Sequence, residues 1–352
     1  MKYLLPAYTG LGNTVQLSNV INEIITKDDN AEIFFISDNK LGQLNFLNWI
    51  NCRSVITKLV DNKISIFSLL WMNRQCFDYI LLPGYGTPGA IKIMSYIVSS
   101  KSIIEHDTKS NDIRILIMRF LFCSLLRKNI ERVQLEKNMN EIDQYKDLIK
   151  PIKGSMKVGT YPSLKDNVRL EKHFLKKIKF TDKYICLQVG AANRGKTPKT
   201  WPKNNYIDLI NKLFLKYPKL VIVLIGDDVS LADDLAIEFG SKVINFVGKT
   251  SIPELMALIS NSHLVICLDS AIMHLSNFLE KPLIGIFGPT EHKRTFPKGS
   301  NNHIVKLNLE CMPCMDVLSD KEALEKCRFN NSCMKNLEAQ IVLDKIKQEA
   351  LI

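Results

Sequence analysis

The chain has no hydrophobic run long enough to cross a bilayer. Its longest apolar stretch outside strand-like segments, IRILIMRFLFCSLL at 113–126, is shorter than the roughly 20 residues a span needs and carries Arg114 and Arg119. The opening residues MKYLLPAYTGLG contain one lysine and an apolar run broken by Pro6 and Gly10, which leaves no room for a secretory h-region. These two absences set a cytoplasmic expectation. No GK[ST] follows GLGN at P-loop distance, which excludes a Walker-type NTPase. There is no basic–aromatic module and no zinc-finger spacing, so the net charge of +11 does not read as nucleic-acid binding. An anionic substrate or an anionic membrane surface remains to explain it. No repeat of solenoid period and no low-complexity tail is present. Residues 110–149 lack both Gly and Pro and are expected to be helical.

What is present is material for two cores. The 352 residues are 46% hydrophobic and 24% charged, a globular composition too long for one ordinary domain. Short apolar runs alternate with helical patterns, which predicts parallel α/β sheets. KYLLPAY, AEIFFI, SVITKLV, YILLP and KSIIEH read as strands of a first series. YICLQVGA, VIVLIG, KVINFVG, HLVICLD and PLIGIFG read as a second. Between the first strand and its helix, Asn13 reads as an N-cap with Gln16 in capping-box position. The polar, Lys-rich stretch with Pro151, Gly154, Gly159 and Pro162 breaks any regular pattern. The expected division is therefore a domain at 1–160, a linker at 161–182 and a domain at 183–352. In two doubly wound domains, ligands are expected beyond the carboxyl ends of the strands.

The densest signal is LDSAIMHLSNFLEKPLIGIFGPTEHKRTFP, at 268–297. Asp269 and Ser270 fall where a strand ends and a helix begins. Free N–H groups and the helix dipole there favour a phosphate, and Ser270 offers a hydroxyl donor. Gly288-Pro289-Thr290, at the next strand end, lets backbone approach a ligand. On local pattern alone, Asp269 as a plain helix cap and His274 as a residue packed against the sheet is the favoured reading.

The longer pattern SIPELMALISNSHLVICLDSAIMHLSNFLEKPLIGIFGPTEHKRTFP resembles the C-terminal signature of glycosyltransferase family 9, the heptosyltransferase family. GAANRGKTPKTWPKNNYIDLI resembles that family's G-A…K-x-W-P segment, and YTGLGNTVQLSNVINEI its N-terminal strand-turn-helix. RKNIERVQLEKNMNEI resembles the helix closing its first domain. The resemblance implies a GT-B fold, two Rossmann-like domains facing a central cleft, with the acceptor on the first and the sugar nucleotide on the second. It implies that Lys199 contacts the donor's phosphates, a role suited to a strongly hydrated ammonium, with Arg194 in the same loop assisting. Asp228 then either accepts from ribose hydroxyls or caps the helix that follows. His274 contacts the donor or orients its loop. Gly12, Asp269, Ser270, Ala271, Gly288 and Thr290 complete the expected donor side. Trp201-Pro202 and Glu254 read as structural.

Two positions depart from the family pattern. Ala271 stands where Gly is usual. Asn13 stands where an Asp resembling the general base is usual, and an amide has no useful basicity. Asp107, with Glu105 and His106 beside it, is the candidate replacement. The resemblance makes ADP-heptose the first donor to try and a lipopolysaccharide or other lipid-linked surface glycan the acceptor. The transfer is expected to be inverting and free of any catalytic metal. Because Lys199 lies on a loop, its removal is expected to slow transfer without affecting folding. A catalytically degenerate scaffold that binds a sugar nucleotide without transfer is the alternative, kept alive by Asn13 and Ala271.

Two further features need an account. Cys311, Cys314, Cys327 and Cys333 either hold a structural zinc or iron, pack as reduced thiols, or pair as disulfides. They precede a last helix, NLEAQIVLDKIKQEAL, expected to return to the first domain. The span 101–137 sets Arg114, Arg119, Arg127, Lys128 and Arg132 beside many apolar residues. It reads as a core-facing helix or as a peripheral contact with the inner face of the cytoplasmic membrane.

Overall fold

The computed structural model describes residues 1–6, 10–28, 30–36, 46, 55–57, 66–84, 89–107, 116–117, 120–121, 129–136, 139–152, 183–191, 197–315, 325 and 327–352. The chain divides into two units, Met1–Arg169 and Leu170–Ile352.

The first unit is one parallel sheet. Its strands are β1 (Lys2–Pro6), β2 (Glu32–Ile36), β3 (Val55–Thr57), β4 (Phe77–Leu82), β5 (Ser100–Asp107) and β6 (Asn129–Gln134), in the order β3-β2-β1-β4-β5-β6. Helices Leu11–Lys27, Ile66–Gln75, Gly89–Ile97 and Glu141–Asp147 are also present. Central strands of a parallel sheet are covered on both faces and so read as unbroken apolar runs. Phe34, Phe77, Ile80, Leu82 and Ile103 are that run's contribution to the core. The span 110–149 is not helical throughout. Asn129–Gln134 pairs in parallel with β5 from Ser102↔Asn129 to Asp107↔Gln134. An edge strand with mostly exposed side chains, NIERVQ, carries no continuous apolar run, so it escapes a reading based on hydrophobicity.

Asn13 is not the N-cap of the Leu11–Lys27 helix. Gly10 is, with Thr14 donating to its carbonyl at 3.2 Å, and Asn13 lies inside the first turn. Gln16 is likewise not in a capping box. Its amide donates to Glu141 across the buried contact with the Glu141–Asp147 helix, at 3.1 Å.

The second unit repeats the strand order. β7 (Tyr184–Val189), β8 (Val221–Gly226), β9 (Val243–Asn245), β10 (Val265–Leu268), β11 (Leu283–Phe287) and β12 (Asn302–Lys306) are all parallel, in the order β12-β11-β10-β7-β8-β9. Helices Lys203–Lys216, Val229–Phe239, Ile252–Asn261 and Ala271–Phe278 connect them, with Ala339–Gln348 at the end. The Ile252–Asn261 helix opens on a complete capping box, Ser251 with Glu254, so Glu254 is structural. Trp201 is buried and donates to the Leu337 carbonyl at 2.8 Å, while Pro202 stands at the N-cap of the next helix. The last helix buries Ala339, Val342, Leu343 and Ile346 in the core of this same unit.

Candidate active site

The second unit's strand order reverses between β7 and β10, the place where α/β sheets open a ligand crevice. Four adjacent strand ends meet around it: β11, β10, β7 and β8. Lys199, from the loop after β7, and Asp269, at the end of β10, form an ion pair of 3.0 Å across the reversal. Asp269 is only 7% exposed. Burial, the largest single influence, pushes its carboxyl up, but the charge and hydrogen bond of Lys199, with His274 and Thr290, together outweigh it. The net result lies below the usual carboxylate range. Thr290, at the end of β11, is 8% exposed, and its hydroxyl has no hydrogen-bond partner of ordinary geometry among the described residues.

Local structure explains how Lys199 is held. Thr197 is buried, donates to the Ala191 carbonyl at 3.1 Å and accepts from the Lys199 N–H at 3.2 Å. The buried Trp201 anchors the other side. Lys199 is therefore a fixed cation leaning on a buried anion, not a free loop residue. The expectation that it matters little for folding does not survive this geometry.

Ser270 is the N-cap of the Ala271–Phe278 helix and accepts from the Ile272 N–H at 3.2 Å. Its single hydroxyl hydrogen goes to Gln188 Oε1 at 2.8 Å, so it is not offered to a ligand here. The backbone N–H groups of the first turn remain the donors a helix start provides. Gln188 is a site residue that pattern reading missed. It is buried in β7, donates to the Gly190 carbonyl at 2.7 Å and accepts from the Leu268 N–H at 3.1 Å. It ties the ends of β7 and β10 together across the reversal. The available signal was a lone amide inside the apolar run YICLQVGA.

His274 lies on the same helix, buried. Burial pushes its imidazole down to about 4, with Asp269 opposing and Lys199 assisting, so it is neutral at pH 7 and brings no positive charge to an anion. Ala271 is the first residue of the helix. Asp228 caps the Val229–Phe239 helix, its Oδ1 accepting from the Leu231 N–H at 3.2 Å, so the capping role is realised. Gly190 has φ +77 and a Cβ there would come within 2.6 Å of both Asp227 and Asp228, which fixes glycine at this turn. Arg194 lies outside the described residues.

Gly288 has a different reason from the one its place suggests. A Cβ there would meet Met334 Sδ at 2.4 Å and Cys333 Sγ at 3.3 Å. The cysteine-rich segment packs behind the Gly288–Thr290 turn, and the Cys314 and Met315 N–H groups donate to the Pro289 carbonyl at 2.9 and 3.0 Å. All four cysteines are free thiols. Burial, then neighbouring Cys314, Cys327 and Cys311, push the Cys333 thiol up to about 11. Among the described residues no group of three or more His, Cys, Asp or Glu is placed to hold a metal ion. The zinc or iron reading thus finds no ligand set among the described residues, while Cys333 packs behind the Gly288 turn.

In the first unit, Gly12 and Asn13 sit in the helical turn after β1, and Asp107 ends β5. β1 and β5 are two strand positions apart, with β4 between them, which is roughly 10 Å. Asp107 is exposed, and Arg132 from β6 reaches it at 3.9 Å and Glu105 at 4.0 Å. Glu105 is buried and accepts from the Tyr96 hydroxyl at 2.5 Å. His106 uses both ring nitrogens: Nδ1 accepts from the Gly84 N–H at 2.9 Å and Nε2 donates to the Gln144 carbonyl at 2.8 Å. That removes His106 as a base and leaves Asp107 as the accessible carboxylate of the three.

A Rossmann strand order in each of two units defines the class of two-domain α/β proteins of the GT-B type. The chain belongs to glycosyltransferase family 9 (heptosyltransferase), whose family model matches residues 122–324. Lipooligosaccharide heptosyltransferase 2 of Campylobacter jejuni is 36% identical over 109 residues, which are 30% of this chain and 32% of that protein. Lipopolysaccharide heptosyltransferase 3 of Escherichia coli K12 is 32% identical over 114 residues, 32% of each. The aligned stretch thus spans about a third of these relatives. The structure of E. coli ADP-heptose lps heptosyltransferase II matches with a TM-score of 0.72 at 15% identity, covering 100% of this chain and 99% of that one. A family 9 glycosyl transferase from Veillonella parvula matches at 0.74, with 15% identity, over 99% and 97%. At these identities the structural likeness speaks for the fold.

Proposed function

We propose that the protein transfers heptose from ADP-heptose to a lipid-linked surface glycan of the lipopolysaccharide type. The observation that carries the reading is the Lys199–Asp269 pair beside the start of the Ala271–Phe278 helix. A diphosphate leaving group needs fixed positive potential where its charge develops, and an ammonium held by a buried carboxylate plus a helix N-terminus supplies it without reorganisation. The Thr290 hydroxyl, which helps stabilise the Asp269 carboxylate, lies at the same strand ends. Asp228 keeps its Oδ2 for a ribose hydroxyl, while Gly12, Ala271 and Gly288 shape backbone and Arg194 adds charge. The names of the relatives supply the sugar, the nucleotide and the glycan.

In the proposed step the acceptor hydroxyl attacks the anomeric carbon from the face opposite the phosphate, and configuration inverts. Asp107 takes the proton, since Asn13 cannot. ADP departs onto Lys199 and the helix start, with no metal taking part. The protein works in the cytoplasm at the inner membrane face, where a lipid-linked acceptor is presented. Among the described residues no helix is long and apolar enough to cross a membrane.

The test is transfer from ADP-heptose to a heptose-deficient lipid A–core acceptor, with thermal shift by ADP measured in parallel. Transfer with inverted product configuration, unchanged by EDTA, is the expected result. Stabilisation by ADP-heptose with no transfer to any core acceptor would favour the binding scaffold. Absence of both would overturn the donor assignment.

A further inference from the structure

The connection from β5 to β6 is a crossover in a parallel sheet, and such a connection ordinarily turns its apolar side onto the sheet. Here the described residues of that connection do the opposite. Residues 116, 117, 120 and 121 are helical, and Ile117 is 51% and Phe120 71% exposed, with Leu116 and Leu121 exposed beside them. Positions i, i+1, i+4 and i+5 of a helix share one face. Four large apolar side chains exposed within six residues form a patch of the kind that marks an interaction site.

The charge around the patch selects the partner. Between residues 113 and 128 the sequence holds Arg114, Arg119, Arg127 and Lys128 and no acid. In the sequence Arg119 immediately precedes Phe120, and Arg114 stands two residues before Leu116. Apolar side chains able to enter the acyl boundary, flanked only by cations, complement an anionic lipid surface. The connection also begins at Asp107, nine residues before Leu116, which limits the patch to about 30 Å from the proposed base.

We propose that Leu116, Ile117, Phe120 and Leu121 dock the protein on an anionic bilayer, a reading that rests on the lipid-linked acceptor proposed above. Docking brings the acceptor end of the first unit to a membrane-embedded substrate and turns a three-dimensional search into a two-dimensional one.

Vesicle flotation of the full chain tests this. Binding is expected to vesicles of phosphatidylethanolamine with a quarter phosphatidylglycerol, to weaken in high salt, and to be slight on pure phosphatidylcholine. Phe120→Glu should weaken it more than tenfold and Arg119→Ser roughly fivefold, with both variants keeping the wild-type melting temperature. Transfer to a delipidated, water-soluble core fragment should be unchanged in both variants, while transfer to acceptor in vesicles falls. Wild type that ignores anionic vesicles, or Phe120→Glu that binds them as wild type does, overturns the proposal. So does a patch that instead mediates self-association, seen as a dimer that Phe120→Glu converts to monomer with no vesicle binding in either form. If neither form transfers to any acceptor yet anionic-vesicle binding responds as stated, docking stands and the transfer reading fails.

Discussion

Replacing Lys199 with Ala should destabilise the second unit and not only slow the reaction. At 3.0 Å and an effective dielectric near 20, the gross attraction between Lys199 and Asp269 is about 5 kcal/mol. Not all of that is net. The Lys199 side chain is 25% exposed, so water screens part of the pair. Asp269, at 8%, has no such relief. Lys199→Ala leaves its carboxylate buried without its cation, and a loss of about 3 kcal/mol is expected, the lower end for a broken buried pair. For a unit running from Leu170 to Ile352, that lowers the melting temperature by roughly 6–12 °C. Asp269→Asn should cost less, about 1 kcal/mol, because the orphaned ammonium can turn to solvent. The double variant should be more stable than the sum of the single losses predicts. Thermal unfolding followed by circular dichroism reads all four proteins. A Lys199→Ala protein that melts within roughly 1 °C of wild type, or strict additivity in the cycle, would refute the buried-pair argument. Below every melting temperature, Lys199→Ala should still lose about 2–4 kcal/mol of transition-state stabilisation in the transfer assay.

Gly288→Ala should destabilise by about 1–3 kcal/mol in chemical denaturation, because its Cβ collides with Met334 Sδ at 2.4 Å, and Met334→Ala in the same chain should recover part of the loss. His106 and His274 are each held down to about 4, so between pH 6.5 and 4 the unfolded chain binds protons that the native one refuses. Each should contribute stability that is full above pH 6.5 and falls by about 3 kcal/mol as pH drops to 4, and His106→Gln should flatten its share in urea titrations at the two pH values. Asn13→Asp puts a carboxylate in the first turn of a helix that has no acid there, and should raise stability by about 0.3–1 kcal/mol. It should bring no gain in transfer, and a new acidic limb in the pH–rate profile with higher activity would show that Asp107 is not the base.

The second unit was far more legible than the first, and the cause is physical. Its strand ends are where the chain must be polar beside a buried core, so LDSAIMH and GPT stand out against the apolar runs that precede them. SIPE announces its capping box for the same reason. In the first unit the edge strand NIERVQ faces solvent and reads like helix surface. Asn13 looks like a cap, yet Gly10 takes that place because the helix starts three residues earlier than a side-chain cap at Asn13 would allow. What no pattern disclosed was pairing between distant residues: Gln16 with Glu141, Gln188 with Ser270, and His106 with Gly84 and Gln144. Each is a polar group made tolerable in a buried setting by partners far along the chain.

That difference bears on where chemistry is fixed and where it drifts. Around the reversal in the second unit several polar groups lean on one another. Thr197 shapes the loop of Lys199, Lys199 neutralises Asp269, and Gln188 ties Ser270 to β7. A change at one member strands a buried partner, so the set is held together by folding as well as by catalysis. In the first unit the only carboxylate of the trio open to solvent, Asp107, leans on the half-exposed Arg132 at 3.9 Å and little in the core depends on it. A base at that position can move between strand ends at small cost to stability. This makes Asn in place of Asp at position 13 compatible with a working enzyme, whereas loss of the Lys199–Asp269 pair would not be.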